Sequence, residues 1–263
     1  MQEILLVTKG HPYEREPFYG IFDAMEGVNW TLVEQPAAQA LFDVTEASRY
    51  DAFVLYDMPG IKFAPGGPEF LQPDERYRQA FFELVEAGHG FVFLHHALAG
   101  WPVWPDYAEL IGGRFLYLPD TVRGQPCPDS GYRHSVTHTV SVVADHPVTQ
   151  GLPPSFEITD ELYLAEVFES DVEPLLISDY DFVQENFYSA TLAVRDGKMF
   201  SNEGWSHPAG SNLIGWTRTV GKSRIVYLQC GDDPVAYANP YFQQLIRNAI
   251  GWVSEVGSGN VSV

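Results

Sequence analysis

The chain alternates short apolar runs with polar, helix-patterned stretches. "EILLVT" near the start runs into a polar loop, "KGHPYEREP". In "FYGIFDAM", Phe18, Ile21, Phe22 and Met25 recur at spacings of three and four, which predicts a helix with one buried face. "WTLVEQ" and "AFVLYD" read as the next strands. "PDERYRQAFFELVEAGHG" is the clearest helix, with Pro73 near its start, acids in its first turn, and Gly88 and Gly90 at its end. "FVFL" then follows as a buried strand. This alternation predicts an α/β fold with a doubly wound, mostly parallel sheet and helices on both faces.

The second half is more β-rich. "VTHTVSVV" alternates like a strand with one wet face, and "PLLISDY" and "ATLAVRDGKMF" read as strands, the latter ending in an Asp-Gly turn. "SRIVYLQ" is a strong buried strand, and "PYFQQLIRNAIGWV" is a closing helix whose stripe is Phe242, Leu245, Ile246, Ala249 and Ile250. "LPDTVRGQPCPDSGYRHS" is Pro- and Gly-rich and reads as loop, and "DHPVTQGLP" is turn-rich. With no internal repeat and no linker, the expectation is one domain over residues 1–255 with β-rich elaborations in its second half. A frayed tail over 256–263 is expected to follow.

Composition narrows the partners. At 263 residues and 45% hydrophobic, the chain can bury a sizeable core. Asp plus Glu number 35 against 15 Lys plus Arg, a formal charge of −20, which disfavours nucleic acid and anionic membrane surfaces. An uncharged or cationic small-molecule ligand suits such a chain better than a phosphorylated one. The two cysteines, Cys127 and Cys230, form neither a disulfide framework nor a zinc-finger spacing. No apolar run approaches about 18 residues, and "MQEILLV" lacks a secretory pattern, so a cytoplasmic location is expected. The sequence leaves homo-oligomerisation open.

Candidate chemistry follows from topology. Ligands of an open parallel sheet bind beyond the carboxyl ends of its strands. The polar residues expected there are His11, Asp57, the consecutive His95 and His96, and Asp232. Each has a plainer reading: His11 as a solvated loop residue, Asp57 as a turn residue, and Asp232 and Asp233 as caps before Pro234. "ITDELYLAE" adds Asp160, Glu161 and Tyr163; its plain reading is a capped short helix, its functional reading a carboxylate, Glu161, reaching the histidines. Trp101, Tyr163 and Trp205 could stack on a sugar face, and His207 lies in a loop beside Trp205. Side chains leaving a strand alternate faces, so His95 and His96 are expected to diverge, one meeting Glu161 at the open edge and the other packing inside.

These segments, in order from "KGHPY" through "FVFLHHA", "DHPVTQGLP" and "DELY" to "GKSRIVYLQCGDDPVAYANPYFQQLIRNAIGW", resemble the ThuA-like, trehalose-utilisation family. The resemblance covers most of the chain. It implies a flavodoxin-like, class I glutamine-amidotransferase-like fold and a role in the catabolism of trehalose and related sugars, often beside dehydrogenases that make 3-keto sugars. In glutamine amidotransferases the turn after the "FVFL" strand carries a catalytic cysteine. Here it carries His95 and His96, so glutaminase chemistry is not expected. The family's histidines on the first loop and at this elbow match His11 and His95 or His96. A further family histidine, after the Gly that follows the last strand, is replaced here by Asp232 after Gly231.

Two readings of function follow. In the first, the chain is an enzyme of carbohydrate catabolism, an isomerase, lyase or hydrolase acting on a sugar or keto-sugar. His95, His96, Glu161 and Asp232 carry acid–base chemistry, and His11, Asp57, Trp101, Tyr163, Trp205 and His207 contact the substrate. A zinc-like divalent metal on His11, one elbow histidine, Glu161 and Asp232 is a variant of this reading. In the second, the chain is a non-catalytic sugar-binding or interaction protein that kept the fold without the nucleophile.

Overall fold

The computed structural model describes residues 1–64 and 66–255; the tail expected over 256–263 lies outside the described residues. A mixed ten-stranded sheet organises the chain. In spatial order its strands are Ser155–Leu164, Gly131–Val142, Glu173–Ser178, Leu213–Val220, Ser223–Leu228, Gly90–Leu94, Ala52–Leu55, Gln2–Thr8 and Val28–Glu34, with Tyr188–Ser189 pairing on Gly131–Val142 off this path. From Ser223–Leu228 to Val28–Glu34 the strands are parallel. From Leu213–Val220 outward they are antiparallel, and these form the strand-rich addition.

The inner parallel strands carry continuous apolar runs because both faces are covered, whereas the edge strand Val28–Glu34 is part-exposed. Side chains alternate between two cores. Ile4, Leu6, Val54, Val92 and Val226 pack with Phe18 and Phe22 of helix Arg15–Asp23 and with Leu245, Ile246 and Ile250 of helix Pro240–Ser254. Leu5, Val7, Phe53, Phe91, Phe93 and Ile225 face the other way, onto Phe81, Leu84 and Val85 of helix Glu75–Ala87. Each fully buried Leu or Ile contributes roughly 1.5–3 kcal/mol. Helix Glu75–Ala87 begins on Asp74, which accepts from the Arg76 N–H, and stops at Gly88 in the left-handed conformation.

Three local expectations are corrected. "ATLAVRDG" does not form a strand: Ser189 accepts from the Leu192 N–H and starts a short helix, Ala190–Val194. "ITDELYLAE" is not a capped helix; it lies in strand Ser155–Leu164, paired with Gly131–Val142. The loop read through "GYRHS" also yields to this long strand, whose first residues are Gly131 to Ser135. Among the described residues no helix is long and apolar enough to cross a membrane.

Candidate active site

The elbow follows strand Gly90–Leu94 directly. His95 adopts a left-handed backbone with φ +35° and opens a single 3₁₀ turn, His95–Ala99, rather than a longer helix. That tight turn keeps both imidazoles fully buried. The rings do not diverge as alternation alone predicts: His95 Nε2 and His96 Nε2 stand 3.7 and 3.8 Å from the same oxygen, Asp232 Oδ1. The left-handed residue breaks the strand alternation and turns the two side chains to a common neighbour.

His95 is held at both nitrogens. Nδ1 donates to the backbone carbonyl of Gln229, and Nε2 lies 3.0 Å from Glu161 Oε2. Burial works against charging this ring, but the hydrogen bond to Glu161 and the charges of Asp232 and Glu161 outweigh it and raise its pKa to about 9. Contact with a carbonyl on one side and a carboxylate on the other is the geometry of an imidazolium. His96 is the opposite case: burial and the neighbouring His95 push its pKa well down, so it is neutral. Its Nδ1 lies 3.3 Å from the Tyr163 hydroxyl, and its ring lies against His11 with centroids 4.2 Å apart and planes tilted by 41°.

Glu161 and Tyr163 share one face of strand Ser155–Leu164, while Asp160, Leu162 and Leu164 take the other. Asp160 is consequently structural: it accepts from the backbone N–H groups of Gly231 at 2.6 Å and Asp232 at 3.0 Å. These bonds fix the loop after Ser223–Leu228. Gly231 has φ +117°, and a Cβ there would come 2.7 Å from the Phe242 ring, so glycine is needed. Asp233, not Asp232, caps the next turn, accepting from Val235 and Ala236. Asp232 is thereby free to face the histidines.

His11 arrives on the first loop. Gly10 has φ +110°, and a Cβ at this position would lie 2.2 Å from the Met58 carbonyl oxygen. His11 Nδ1 donates to the Pro12 carbonyl at 2.8 Å, leaving Nε2 for the site.

A sixth group, His134, was missed in the sequence. His134 and Ser135 sit opposite Glu161 where the register of Gly131–Val142 against Ser155–Leu164 shifts between Arg133 and Val136. This bulge, with Ser135 at φ +54°, aims His134 at the cluster. His134 Nδ1 lies 3.2 Å from Glu161 Oε1 and 3.5 Å from Asp232 Oδ2. The bond to Asp232 raises the pKa of His134. Burial pushes the Asp232 pKa up, but His134 and the charges of His95, His134 and His11 overcome it and lower it. A break in alternation at His134-Ser135 was the available signal, hidden by the Pro- and Gly-rich stretch before it.

The cluster forms one end of a cavity of about 350 Å³. His11, Glu161, Tyr163 and His134 line that end; Phe115, Tyr117, Tyr132, Met58, Phe63 and Met199 line the rest. No Lys or Arg is among the described lining residues. Phe63 and Met199 stand largely exposed at the rim.

The other sequence candidates lie elsewhere. Asp57 is buried, accepts from Gln35 Nε2 at 2.7 Å, and has its pKa raised to about 7 by burial. Trp101 packs in an aromatic group with Tyr77 and Trp104. Trp205 donates to Asp129, and His207 packs on Trp205 with its Nδ1 donating to the Pro208 carbonyl. None of these four lines the cavity. Cys230 is buried beyond the last strand, and neither cysteine lines the cavity.

A family model described as trehalose utilisation, ThuA, matches residues 7–253. A ThuA-like protein from Parabacteroides merdae is similar over 100% of this chain and 92% of its own, at 17% identity and TM-score 0.64. One from Bacteroides uniformis is similar over 96% and 91%, at 18% identity and TM-score 0.63. A cytoplasmic protein of Salmonella typhimurium is similar over 96% and 99%, at 12% identity and TM-score 0.58. No curated protein matches the chain.

Proposed function

The chain belongs to the ThuA, trehalose-utilisation family, and from that premise we propose that it is an enzyme of carbohydrate catabolism acting on an uncharged sugar or keto-sugar. One observation carries the reading: Glu161 faces the cavity while two imidazoles, His95 and His134, each hold one of its oxygens. A carboxylate so oriented is placed to take a proton from bound substrate.

For a keto-sugar the step is removal of the C–H proton next to the carbonyl. The electron pair moves into an enediolate, and the proton goes to Glu161. His134, at the cavity wall, exchanges a proton with the substrate oxygen. Returning the proton to the neighbouring carbon completes an isomerisation; expelling a group β to the carbonyl completes an elimination. Neither course needs a cysteine. His95 is the positioning residue, since its ring touches Glu161 from behind. The aromatic walls suit the apolar faces of a sugar ring, and a lining without Lys or Arg suits a neutral ligand.

Turnover of a panel of 3-keto glycosides, followed by chromatography and by exchange of the C–H proton with deuterated solvent, tests this. Exchange that disappears in Glu161→Gln supports the assignment. Tight sugar binding without exchange or turnover would recast the chain as a sugar-binding protein.

A further inference from the structure

We propose that His11, His96 and Asp232 form a binding site for a divalent first-row transition ion in the wall of this cavity. The inference rests on the site of the proposed enzyme but assigns it a component that acid–base chemistry does not require.

Three observations lead there. One ligand atom from each of the three residues lies within 4.8 Å of the other two. A tetrahedral zinc site with bonds near 2.05 Å has ligand edges of about 3.3 Å, so a small rotation of each side chain closes the gap. Next, His96 Nε2 is buried and has no hydrogen-bond partner, although it stands only 3.8 Å from Asp232 Oδ1. A buried ring nitrogen left unpaired among polar groups is costly unless something else occupies its lone pair. Finally, both rings are anchored at Nδ1, His11 by the Pro12 carbonyl and His96 by the Tyr163 hydroxyl. Fixing Nδ1 presents Nε2 outward, as metal-bound histidines are fixed.

Two imidazole nitrogens and one carboxylate oxygen suit zinc or a neighbouring transition ion rather than calcium or magnesium. The set also divides the cluster. Glu161 stays with His95 and His134, and Asp232 turns one oxygen to the ion. His11 belongs both to this trio and to the cavity lining, so the ion's site adjoins the cavity through His11. An open coordination position there would polarise a carbonyl or hydroxyl oxygen of the substrate.

The test uses zinc and cobalt as probes on the chelator-treated full chain. Wild type should take up one zinc per chain by elemental analysis, and cobalt should give visible absorption bands. His11→Ala and His96→Gln should each weaken zinc binding by at least about tenfold, whereas Glu161→Gln should bind zinc like wild type while losing turnover. His11 is partly exposed, so His11→Ala carries the test if His96→Gln fails to fold. Absence of stoichiometric zinc, or binding unchanged in His11→Ala, overturns the site. Full turnover of a keto-sugar by metal-free wild type overturns the ion's polarising role on the substrate and leaves the proposed function standing. Zinc bound as described with no sugar turned over or bound overturns the proposed function and leaves the metal site standing.

Discussion

At the scale of single residues the elbow histidines have separate jobs. His95 bridges the Gln229 carbonyl and Glu161 inside the protein, so removing it leaves a buried carbonyl unpaired and a buried carboxylate with His134 as its remaining imidazole partner. His95→Ala should therefore lose roughly 3–5 kcal/mol of stability as well as turnover. Glu161→Gln still accepts from His95. It should melt closer to wild type while turnover falls by about 10²–10⁴-fold. Thermal melts and rates on the two variants check the order, and equal melting temperatures would refute it. Farther out, Phe63 is 56% exposed at the cavity rim, where an apolar group of a glycoside would rest. Phe63→Ala should raise KM for aryl glycosides by about tenfold, from the ~1–2 kcal/mol of a lost apolar contact, and leave kcat alone. His95, His96, Asp232 and His11 were legible because a sheet-edge rule needs only the ends of strands; Glu161 was legible only as one of the acids in "DELY", without the strand that carries it. His134 was not, since its placement depends on a bulge, and a bulge is a relation between two strands that no local window contains. Asp57 and Trp101 fail for a related reason: they follow strands or turns as the rule asks, but burial, which only tertiary packing decides, takes them out of reach.

Among the elements, the long strand Gly131–Val142 does two tasks. Its bulged start serves the cavity, and its far half is ordinary core. There His138 is buried with Nδ1 2.8 Å from Ser178 Oγ, and burial depresses its pKa from 6.5 to about 4. The unfolded chain thus binds a proton that the folded chain refuses between these values. Stability from this residue is complete above pH 6.5 and declines as the pH falls toward 4, by about 2–3 kcal/mol. Melting temperatures from pH 7 to 4.5 should drop more steeply in wild type than in His138→Gln; parallel curves would contradict the assignment. The inner parallel strands could be read directly because burial on both faces leaves their apolar runs unbroken. Ala190–Val194 shows the limit of such reading. Its residues, "ATLAV", fit a strand as well as a helix, and the choice falls to Ser189 capping the Leu192 N–H. Gly10 makes the same point in reverse. One atom added there meets the Met58 carbonyl, so Gly10→Ala should lower the melting temperature and displace His11, seen as lost zinc or sugar affinity.

For the molecule as a whole, the formal charge of −20 and a cavity with no Lys or Arg among its described lining residues point the same way. A sugar phosphate should bind at least about tenfold more weakly than its neutral counterpart, and added salt should narrow the difference. Equal affinities at low salt would show that the acidic surface does not reach the cavity. The sheet holds one further consequence. Its middle strand, Ser223–Leu228, joins the parallel strands to the antiparallel ones, yet it follows every other described strand in the chain. On the ribosome, therefore, the nascent protein carries two half-sheets with nothing between them. The apolar edge of Gly90–Leu94 lies open, and Asp232 is the last member of its cluster to emerge. A chain interrupted before this insertion would offer that edge to any neighbour and be a substrate for chaperones or proteases.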